Sequence, residues 1–305
     1  MKILVATVKP FAPAAVNKIK SIVEDKGYEF LLLEKYETND QLLDAVKDVD
    51  ALIVRSDKIT NEVLNAANNL KIVVRAGAGY DNVDLDSARA KDVVVMNTPG
   101  QNSNAVAELA FGMMVYLARN KFQAKAGTEL KDKKIGIHAY GNVGQNVARI
   151  AKGFGMDVFA YDPFVANESI ENDSVGAIDT VEELYGSCDY ISLHIPANKH
   201  TINSINYDLL KNLPEGGTLV NTARKEVIDE EGLLKLMAER DDIKYISDIP
   251  PDRREDFERR FKDRVFFTPK KMGAQTMEAN INAGVAAAKQ IIRFLEEGDI
   301  TFKVN

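Results

Sequence analysis

The sequence predicts an α/β protein made of two doubly wound parallel-sheet domains. Short, continuously apolar runs alternate with helical patterns along the chain, and this alternation is typical of parallel strands covered by helices on both faces. The number of such runs exceeds what one small domain holds. The predicted strands are Lys2–Val8, Phe30–Tyr36, Ala51–Arg55, Lys71–Ala76, Val93–Asn97, Ile135–Ala139, Asp157–Asp162, Asp189–Pro196, Thr218–Ala223, Ile243–Asp248 and Val265–Pro269.

Length and composition favour a globular protein that acts on small molecules. The chain has 305 residues, which suits two domains, and its 45% of apolar residues can fill two cores. A net charge of −7 without a long basic cluster argues against nucleic acid or an anionic membrane as partner. No apolar run is long enough to span a bilayer. The single cysteine, Cys188, excludes an internal disulfide and predicts a cytoplasmic protein.

Two helical patterns mark the expected domain boundaries. One helix, over residues 104–119, leads from the first domain into the second. The last helix, about residues 276–297, carries small residues at helical spacing and is expected to return to the first domain. We therefore predict one domain from residues 1–98 and 275–305, and a second from residues 99–274.

The most informative motif is the strand–loop–helix sequence at residues 135–148. After the strand, Ala139-Tyr140-Gly141-Asn142-Val143-Gly144 matches the dinucleotide fingerprint G-x-G-x-x-G, with alanine in the first glycine position. An alanine is tolerable there if its φ stays negative. The free N–H groups at the start of the helix suit a pyrophosphate. The residues predicted to bind it are Tyr140, Gly141, Asn142, Val143 and Gly144.

A carboxylate after the next strand predicts which dinucleotide binds. Asp162, followed by Pro163, comes about 20 residues after the fingerprint, the position of the ribose-binding acid. A carboxylate there accepts the 2′-hydroxyl and repels a 2′-phosphate. The predicted cofactor is therefore NAD in preference to NADP.

Six sequence blocks together resemble the D-isomer-specific 2-hydroxyacid dehydrogenases. They are VVRAGAGYDNVDLDSA (73–88), NTPGQNSNAVAEL (97–109), GIHAYGNVG (136–144), ISLHIP (191–196), NTARKEVID (221–229) and TPKKMGAQT (268–276). The resemblance implies a Rossmann-type NAD domain over residues 99–274, a flavodoxin-like substrate domain from the remainder, and a homodimer. It also implies further cofactor contacts by His194, Ile195, Pro196, Thr201, Thr222, Ala223 and Asp248.

Within this family, the first block and the V-R-S of ALIVRSDKIT most resemble members that oxidise D-3-phosphoglycerate to 3-phosphohydroxypyruvate, the first step of serine biosynthesis. The sequence resembles the short form of such members, with no ligand-sensing domain after Asn305. Two alternatives stay open. One is an NADH-dependent reductase of another 2-keto acid, such as glyoxylate or hydroxypyruvate, and the other is a non-catalytic NAD(H)-sensing protein.

Anion-binding residues follow several strands. Arg224, directly after a strand, resembles the family's catalytic arginine, whose guanidinium grips carboxylate and carbonyl oxygens. The N–H groups of the loop Gly77-Ala78-Gly79 are candidates for holding a substrate carboxylate. Arg55, with Ser56 beside it, is the first candidate for a substrate phosphate, and Arg75 is a second cation nearby in sequence.

The proton acceptor departs from the family pattern. Most members use a histidine in P-H-x-G-A, paired with a glutamate, but none of the three histidines lies in such a motif. Counting back from Met272-Gly273-Ala274 places Lys271 in the histidine position, with Lys270 as an extra loop charge. Arg253 stands in the glutamate position, and its neighbour Asp252 is the candidate acid. His138 is expected to be structural.

The two departures are consistent with each other. The ordinary pKa of histidine is about 6.5, and a carboxylate partner raises this pKa so that the imidazolium form is available. The ordinary pKa of lysine is already about 10.4. A lysine base instead needs burial and a neighbouring cation, for which Arg224 is the candidate. We therefore predict Lys271 as the proton acceptor and no metal site. The competing interpretation is a pair of solvated lysines in an inactive site.

Overall fold

A computed structural model describes residues 1–305. The chain divides into two compact units, one formed by Met1–Asn102 with Gln275–Asn305 and the other by Ser103–Ala274. Each unit has a fully parallel sheet with helices around it, so the predicted α/β fold class with two parallel sheets is confirmed. None of the helices combines the length and the apolar character needed to cross a membrane.

The first unit contains a five-stranded sheet in the order β2-β1-β3-β4-β5, which is the flavodoxin-like order. Its strands are β1 (Lys2–Thr7), β2 (Glu29–Glu34), β3 (Ala51–Val54), β4 (Ile72–Arg75) and β5 (Val94–Asn97). Its helices are α1 (Pro13–Glu24), α2 (Asn39–Val46), α3 (Asn61–Ala66), α4 (Leu85–Arg89) and the C-terminal α12 (Met277–Glu297).

Small residues let α12 pack closely in the first unit. Its buried face includes Ala279, Ala283, Gly284 and Ala287. A Cβ on Gly284 would lie only 2.8 Å from Cδ1 of Ile19 on α1. The helix therefore approaches α1 closely, and a larger residue at position 284 would require the Ile19 side chain to shift.

The second unit contains a seven-stranded sheet in the order β12-β11-β10-β9-β6-β7-β8. Its strands are β6 (Lys134–His138), β7 (Asp157–Tyr161), β8 (Gly176–Ala177), β9 (Tyr190–Leu193), β10 (Thr218–Asn221), β11 (Lys244–Ser247) and β12 (Val265–Phe267). Its helices are α5 (Ser103–Ala118), α6 (Asn142–Gly153), α7 (Asn167–Asn172), α8 (Val181–Ser187), α9 (Tyr207–Leu210), α10 (Glu230–Glu239) and α11 (Arg254–Phe261).

Strand β8 was missed by the sequence analysis. It has only two residues, Gly176 and Ala177, and pairs with the outer side of β7. A Cβ on Gly176 would lie 2.6 Å from the ring of Phe159, so glycine is needed for the close pairing. An apolar-run criterion cannot detect so short a strand.

Each sheet has one point where the strand order reverses. In the first unit β1 lies between β2 and β3, and in the second β6 lies between β9 and β7. Ligands of open α/β sheets bind at the carboxyl ends of the strands at such a switch point. The chain segments leaving β1, β3, β6 and β9 are therefore where the candidate site residues of each unit are expected.

Candidate active site

The loop after β6 has the backbone features of a phosphate site. Helix α6 begins at Asn142 with Gly141 as its N-cap, and no side chain caps it. Gly141 is exposed, with nothing within 4 Å of where its Cβ would lie. A Cβ on Gly144 would lie 2.4 Å from the carbonyl oxygen of Ala139. The open N-terminus and the two glycines fit a pyrophosphate approaching the first turn of α6.

Ala139 does not adopt the conformation that the sequence analysis expected. Its φ is +82°, in the left-handed region that glycine enters freely and alanine enters at a cost of about 1–2 kcal/mol. The turn from β6 into α6 therefore keeps the backbone of the glycine fingerprint although the glycine itself has been replaced.

Replacing Ala139 with glycine is expected to stabilise the protein by about 0.5–1 kcal/mol, because relief of the strain exceeds the extra chain entropy of glycine. The measurement is the urea midpoint at unchanged slope. Ala160→Gly, in the buried part of the neighbouring strand β7, is the matched control and should destabilise. An Ala139→Gly midpoint below that of the unaltered chain would contradict the assignment of strain.

Asp162 lies beside this loop and is hydrogen-bonded to it. Its Oδ2 accepts the N–H of Tyr140 at 2.8 Å, and its Oδ1 accepts the N–H of Phe164 at 2.9 Å. The side chain of Tyr140 is buried, and its hydroxyl donates to the exposed Asp173 at 2.9 Å. Tyr140 can therefore contribute to a cofactor site only through its backbone, and Asp162 is placed at the end of β7 with its carboxylate half-exposed.

Arg224 and Lys271 meet at one backbone oxygen. Nη1 of Arg224 donates to the carbonyl oxygen of Ala223 at 2.9 Å, and Nζ of Lys271 donates to the same oxygen at 3.3 Å. The cation that a lysine base needs as a neighbour is therefore present. The expected burial is not found, since Lys271 is exposed.

The backbone on both sides of Lys271 is held in place. The hydroxyl of Thr268 lies 2.8 Å from the carbonyl oxygen of Lys270, and the N–H of Met272 donates to Oδ1 of Asp248 at 2.7 Å. The N–H of Gly273 donates to Oδ2 of Asp248 at 2.8 Å. Lys270 projects an exposed side chain that makes no salt bridge, which agrees with its expected role as a loop charge.

Asp248 is fully buried, with a relative accessibility of 0%. Burial raises the pKa of its carboxyl, and the N–H groups of Met272 and Gly273, Thr268 and the charge of Lys271 oppose that rise. The sequence analysis gave Asp248 a cofactor contact only, and it missed these loop contacts because the partners lie more than 20 positions away in the chain. A cofactor contact stays a prediction.

Asp252 pairs with a different lysine. Its Oδ1 lies 2.5 Å from Nζ of Lys225, and its side chain is 74% exposed. Arg253, in the position of the family's glutamate, turns toward α11 and contacts Asp256 at 2.8 Å. Neither residue places a free carboxylate beside Lys271, so a catalytic role for Asp252 gains no support from its contacts.

Two of the three histidines are neutral over the physiological range. His138 is buried with Nδ1 3.2 Å from the Tyr185 hydroxyl, and burial lowers its pKa to about 4. His194 has Nε2 2.9 Å from the Ser192 hydroxyl, and desolvation lowers its pKa to about 3. His138 is thus structural, as expected, and His194 offers a neutral ring at the end of β9.

Other predicted cofactor residues cluster near His194 at the ends of β9 and β10. The Thr222 hydroxyl lies 3.5 Å from Nδ1 of His194. The Thr201 hydroxyl donates to the carbonyl oxygen of Pro196 at 2.5 Å. Ile195 is buried, whereas Pro196 and, after β7, Pro163 are exposed. Their contact with a cofactor stays a prediction.

In the first unit, Arg55 already uses several of its donors. Nη1 donates to the carbonyl oxygens of Lys9 and Pro10, both at 2.9 Å, and Nη2 donates to the side-chain oxygen of Asn280. The guanidinium lies over the ring of Phe11, 5.1 Å from its centroid. Arg55 therefore ties the loop after β1 to the end of β3. The neighbouring Ser56 is exposed.

Arg75 lies against the Gly77-Ala78-Gly79 loop. A Cβ on Gly77 would lie 1.5 Å from Nη1 of Arg75, and Gly77 has φ +148°. Nε of Arg75 donates to the carbonyl oxygen of Arg55 at 3.0 Å. Ala78 is exposed at the tip of this loop. Glycine is favoured because an L side chain is strained at this φ, and the Arg75 guanidinium would also have to move to make room for it.

The comparison with protein families decides the identity of this arrangement. Residues 110–269 match the family model described as D-isomer specific 2-hydroxyacid dehydrogenase, NAD binding domain. The chain belongs to this family. The family consists of NAD-dependent oxidoreductases that act on CH–OH groups, and residues 110–269 form its NAD-binding domain.

Individual relatives are similar over most of this chain. A D-3-phosphoglycerate dehydrogenase of Methanocaldococcus jannaschii is 36% identical over 85% of this chain and 52% of the relative, so the chain spans about half the length of that protein. A hydroxypyruvate reductase of Thermotoga maritima is 36% identical over 89% of this chain and 95% of the relative. An NAD+-bound 3-phosphoglycerate dehydrogenase of Entamoeba histolytica is 49% identical, with a TM-score of 0.88 over 100% of this chain and 98% of that structure.

NAD fits the residues present. The open N-terminus of α6 and the exposed Gly141 suit its phosphates, and Asp162 is the candidate for its ribose. A carboxylate at that position excludes a 2′-phosphate. The unaltered protein is therefore expected to prefer NAD over NADP by well over about tenfold in kcat/KM.

Asp162→Ala is expected to narrow this preference, measured as the ratio of kcat/KM values for the two cofactors. Because Asp162 also holds the N–H groups of Tyr140 and Phe164, Asp162→Asn serves as the control that keeps an acceptor and removes only the charge. Both variants should accept NADP better than the unaltered protein. Equal use of NAD and NADP by the unaltered protein would contradict the assignment of Asp162 as the carboxylate that discriminates against the 2′-phosphate.

Proposed function

We propose that the protein oxidises D-3-phosphoglycerate to 3-phosphohydroxypyruvate with NAD. The observation that carries the proposal is the convergence of Arg224 and Lys271 on the carbonyl oxygen of Ala223 within the NAD-binding unit. The full-length similarity to the 3-phosphoglycerate dehydrogenase of Entamoeba histolytica supports this substrate.

Each step is assigned to a residue of this chain. The guanidinium of Arg224 binds the substrate carboxylate and the oxygen that becomes the carbonyl, because its planar fork matches two oxygens. Nζ of Lys271, in its neutral form, takes the proton of the 2-hydroxyl. Bound NAD supplies the hydride acceptor. Lys271 then returns its proton to water when the product leaves.

The first unit is proposed to supply anion-binding groups. The N–H groups of the Gly77-Ala78-Gly79 loop suit a carboxylate, and Arg75 brings positive charge to that loop. Arg55 with Ser56 is proposed for the phosphate. Arg55 can serve there only with the N–H groups that its contacts with Lys9, Pro10 and Asn280 leave over.

The test is the absorbance of NADH with purified protein, NAD and D-3-phosphoglycerate, with D-glycerate as the unphosphorylated control. The proposal predicts NADH formation with a kcat/KM at least about tenfold higher for the phosphorylated acid, since a charge-assisted contact contributes about 1.5–3 kcal/mol. No NADH formation from D-3-phosphoglycerate would refute it.

A second candidate is reduction of hydroxypyruvate with NADH. The Thermotoga maritima hydroxypyruvate reductase, which is similar over almost its whole length, favours it. The same absorbance assay run with NADH and hydroxypyruvate or glyoxylate distinguishes the two. Faster turnover of these unphosphorylated keto acids than of 3-phosphohydroxypyruvate would make this candidate the better description.

Arg55→Ala is expected to raise KM for D-3-phosphoglycerate by roughly one to two decades, as loss of a charge-assisted phosphate contact predicts, and to leave hydroxypyruvate reduction almost unchanged. Asn280→Ala is the control, because it removes a structural partner of Arg55 without removing the guanidinium. If both substrates suffer alike in Arg55→Ala, the arginine acts by holding the loop at Lys9 and Pro10, and the phosphate binds elsewhere.

We also propose that the protein is cytoplasmic, as its single cysteine indicates, and a homodimer, as the family resemblance implies. The segment joining α5 to β6 is the place where the sequence looks shorter than in other family members, so the interface is expected to be small. Light scattering on the purified protein tests the stoichiometry, and a monomer at micromolar concentration would contradict it.

A further inference from the structure

The loop that carries Lys271 rests on a buried carboxylate that the sequence pattern did not connect with it. Asp248 follows β11 and Thr268 follows β12, and these strands are parallel neighbours with Ser247 beside Phe267. The sheet therefore brings Asp248 under the loop that leaves β12.

Two backbone N–H groups donate to the carboxylate of Asp248, and the Thr268 hydroxyl lies beside it. Oδ1 accepts from the N–H of Met272 at 2.7 Å and lies 3.1 Å from the Thr268 hydroxyl, and Oδ2 accepts from the N–H of Gly273 at 2.8 Å. Backbone N–H groups satisfy the ionised form of a carboxylate and not its acid form. A negative charge is thus held below the loop.

These contacts fix the peptide groups on both sides of Lys271. The Thr268 hydroxyl lies between the carbonyl oxygen of Asp248, at 2.5 Å, and that of Lys270, at 2.8 Å, and Asp248 accepts the N–H of Met272. A Cβ on Gly273 would lie 3.0 Å from Oδ2 of Asp248, so the loop approaches the carboxylate as closely as a glycine allows. The direction in which the Lys271 side chain leaves the backbone is therefore set by Asp248 and Thr268.

We propose that Asp248 is the positioning residue of Lys271 and its carboxylate partner, in place of the glutamate found in most members of the family. Asp248 orients the lysine through the loop N–H groups, and its buried charge favours the ammonium form that results from proton transfer. Asp252 is excluded from this role by its exposed pairing with Lys225. The role of Lys271 as proton acceptor rests on the function proposed above.

The charges around the loop are few and come from defined elements. Gly273 packs against Val106 of α5. The charged groups on the loop and on the segments around it include Arg224 after β10, Asp248 after β11, Lys270 in the loop, and Glu108 on α5, which accepts from Asn104. Lys225 after β10 and Asp252 after β11 pair with each other, and Arg253 pairs with Asp256. Arg224 disfavours the ammonium form of Lys271, and Asp248 opposes that effect.

The first experiment follows Lys271 directly and does not depend on the substrate. Lysines are reductively methylated with 13C-formaldehyde, and the Lys271 signal is assigned by its absence from Lys271→Ala. In Asp248→Asn the titration midpoint of that signal is expected to fall, because removal of a negative charge favours the neutral amine. Asp208→Asn, which removes an exposed carboxylate paired with Lys211, should leave the midpoint unchanged.

The second experiment measures positioning by kinetics. In Asp248→Asn, kcat for whichever 2-hydroxy acid is oxidised is expected to fall about 10- to 100-fold, since small displacements of a reacting group have such effects. The limb on which the rate rises with pH should move to lower pH together with the titration midpoint of Lys271.

Thr268 provides a second variant in case Asp248→Asn does not fold. Thr268→Val removes the hydroxyl at the carbonyl of Lys270 and should lower kcat with unchanged Kd for NADH, whereas Thr268→Ser should retain activity. The proposal is overturned if the Lys271 midpoint stays in place in Asp248→Asn, or if it moves in Asp252→Asn instead. It is also overturned if Thr268→Val leaves kcat unchanged. An inactive unaltered protein would refute the proposed function and leave the titration result to decide this inference.

Discussion

Replacing Lys271 with alanine is expected to lower kcat/KM for D-3-phosphoglycerate oxidation about 10²–10⁴-fold, the usual contribution of a general base. The loop backbone should survive, because its bonds run to Asp248 and Thr268 and not to the lysine side chain. The Kd for NADH, measured by fluorescence, should therefore stay within about twofold of the unaltered protein.

Lys270→Ala is the matched control, one residue away on the same loop. Its side chain is exposed and makes no salt bridge, so little loss of activity is expected. If Lys270→Ala is the inactive variant, the alignment through Met272-Gly273-Ala274 is wrong by one residue. If neither variant loses activity, the proton leaves by another route.

Arg224→Ala is expected to lower kcat/KM by roughly two to four decades. Hydrogen bonds to charged groups contribute about 1.5–3 kcal/mol each, and the variant loses both arms of the guanidinium. It also loses the cation that shares the Ala223 carbonyl oxygen with Lys271. That cation disfavours the ammonium form of the lysine. Without it, the limb on which kcat/KM rises with pH should move to higher pH.

Arg224→Lys separates the two contributions. It keeps the positive charge and removes the planar guanidinium. The value of kcat/KM should therefore fall, while the limb on which kcat/KM rises with pH stays near its original position. A limb that moves equally in both variants would show that the charge of Arg224 does not act on Lys271. A full-activity Arg224→Ala would show that substrate is not bound there.

The fold was predictable because parallel strands that are buried on both faces are continuous runs of apolar residues, which the sequence shows directly. Each predicted strand coincides with a strand of the structure to within a few residues at its ends. Only β8 was not predicted, since its two residues, Gly176 and Ala177, do not form an apolar run. The proximity of Arg224 and Lys271 could be expected, because they lie three and four residues after β10 and β12, whose carboxyl ends are on the same side of one parallel sheet. Their roles stay predictions.

What the sequence could not supply were contacts that depend on the folded backbone. The left-handed φ of Ala139 is imposed by the turn into α6, whereas an alanine in the sequence predicts a negative φ. The donors of Arg55 are used by backbone carbonyls, which no motif records. The loop of Lys271 is hydrogen-bonded to Asp248, which follows the neighbouring strand β11, and the spacing of the family motif did not indicate this contact.

The most direct test of Lys271 as proton acceptor is the pH dependence of kcat/KM for D-3-phosphoglycerate oxidation in the unaltered protein and in Lys271→Ala, measured side by side. The neutral amine is the active form, so kcat/KM of the unaltered protein should rise with pH to a plateau, and Lys271→Ala should lose this limb along with its activity. A limb of the same shape and midpoint in Lys271→Ala would contradict the assignment.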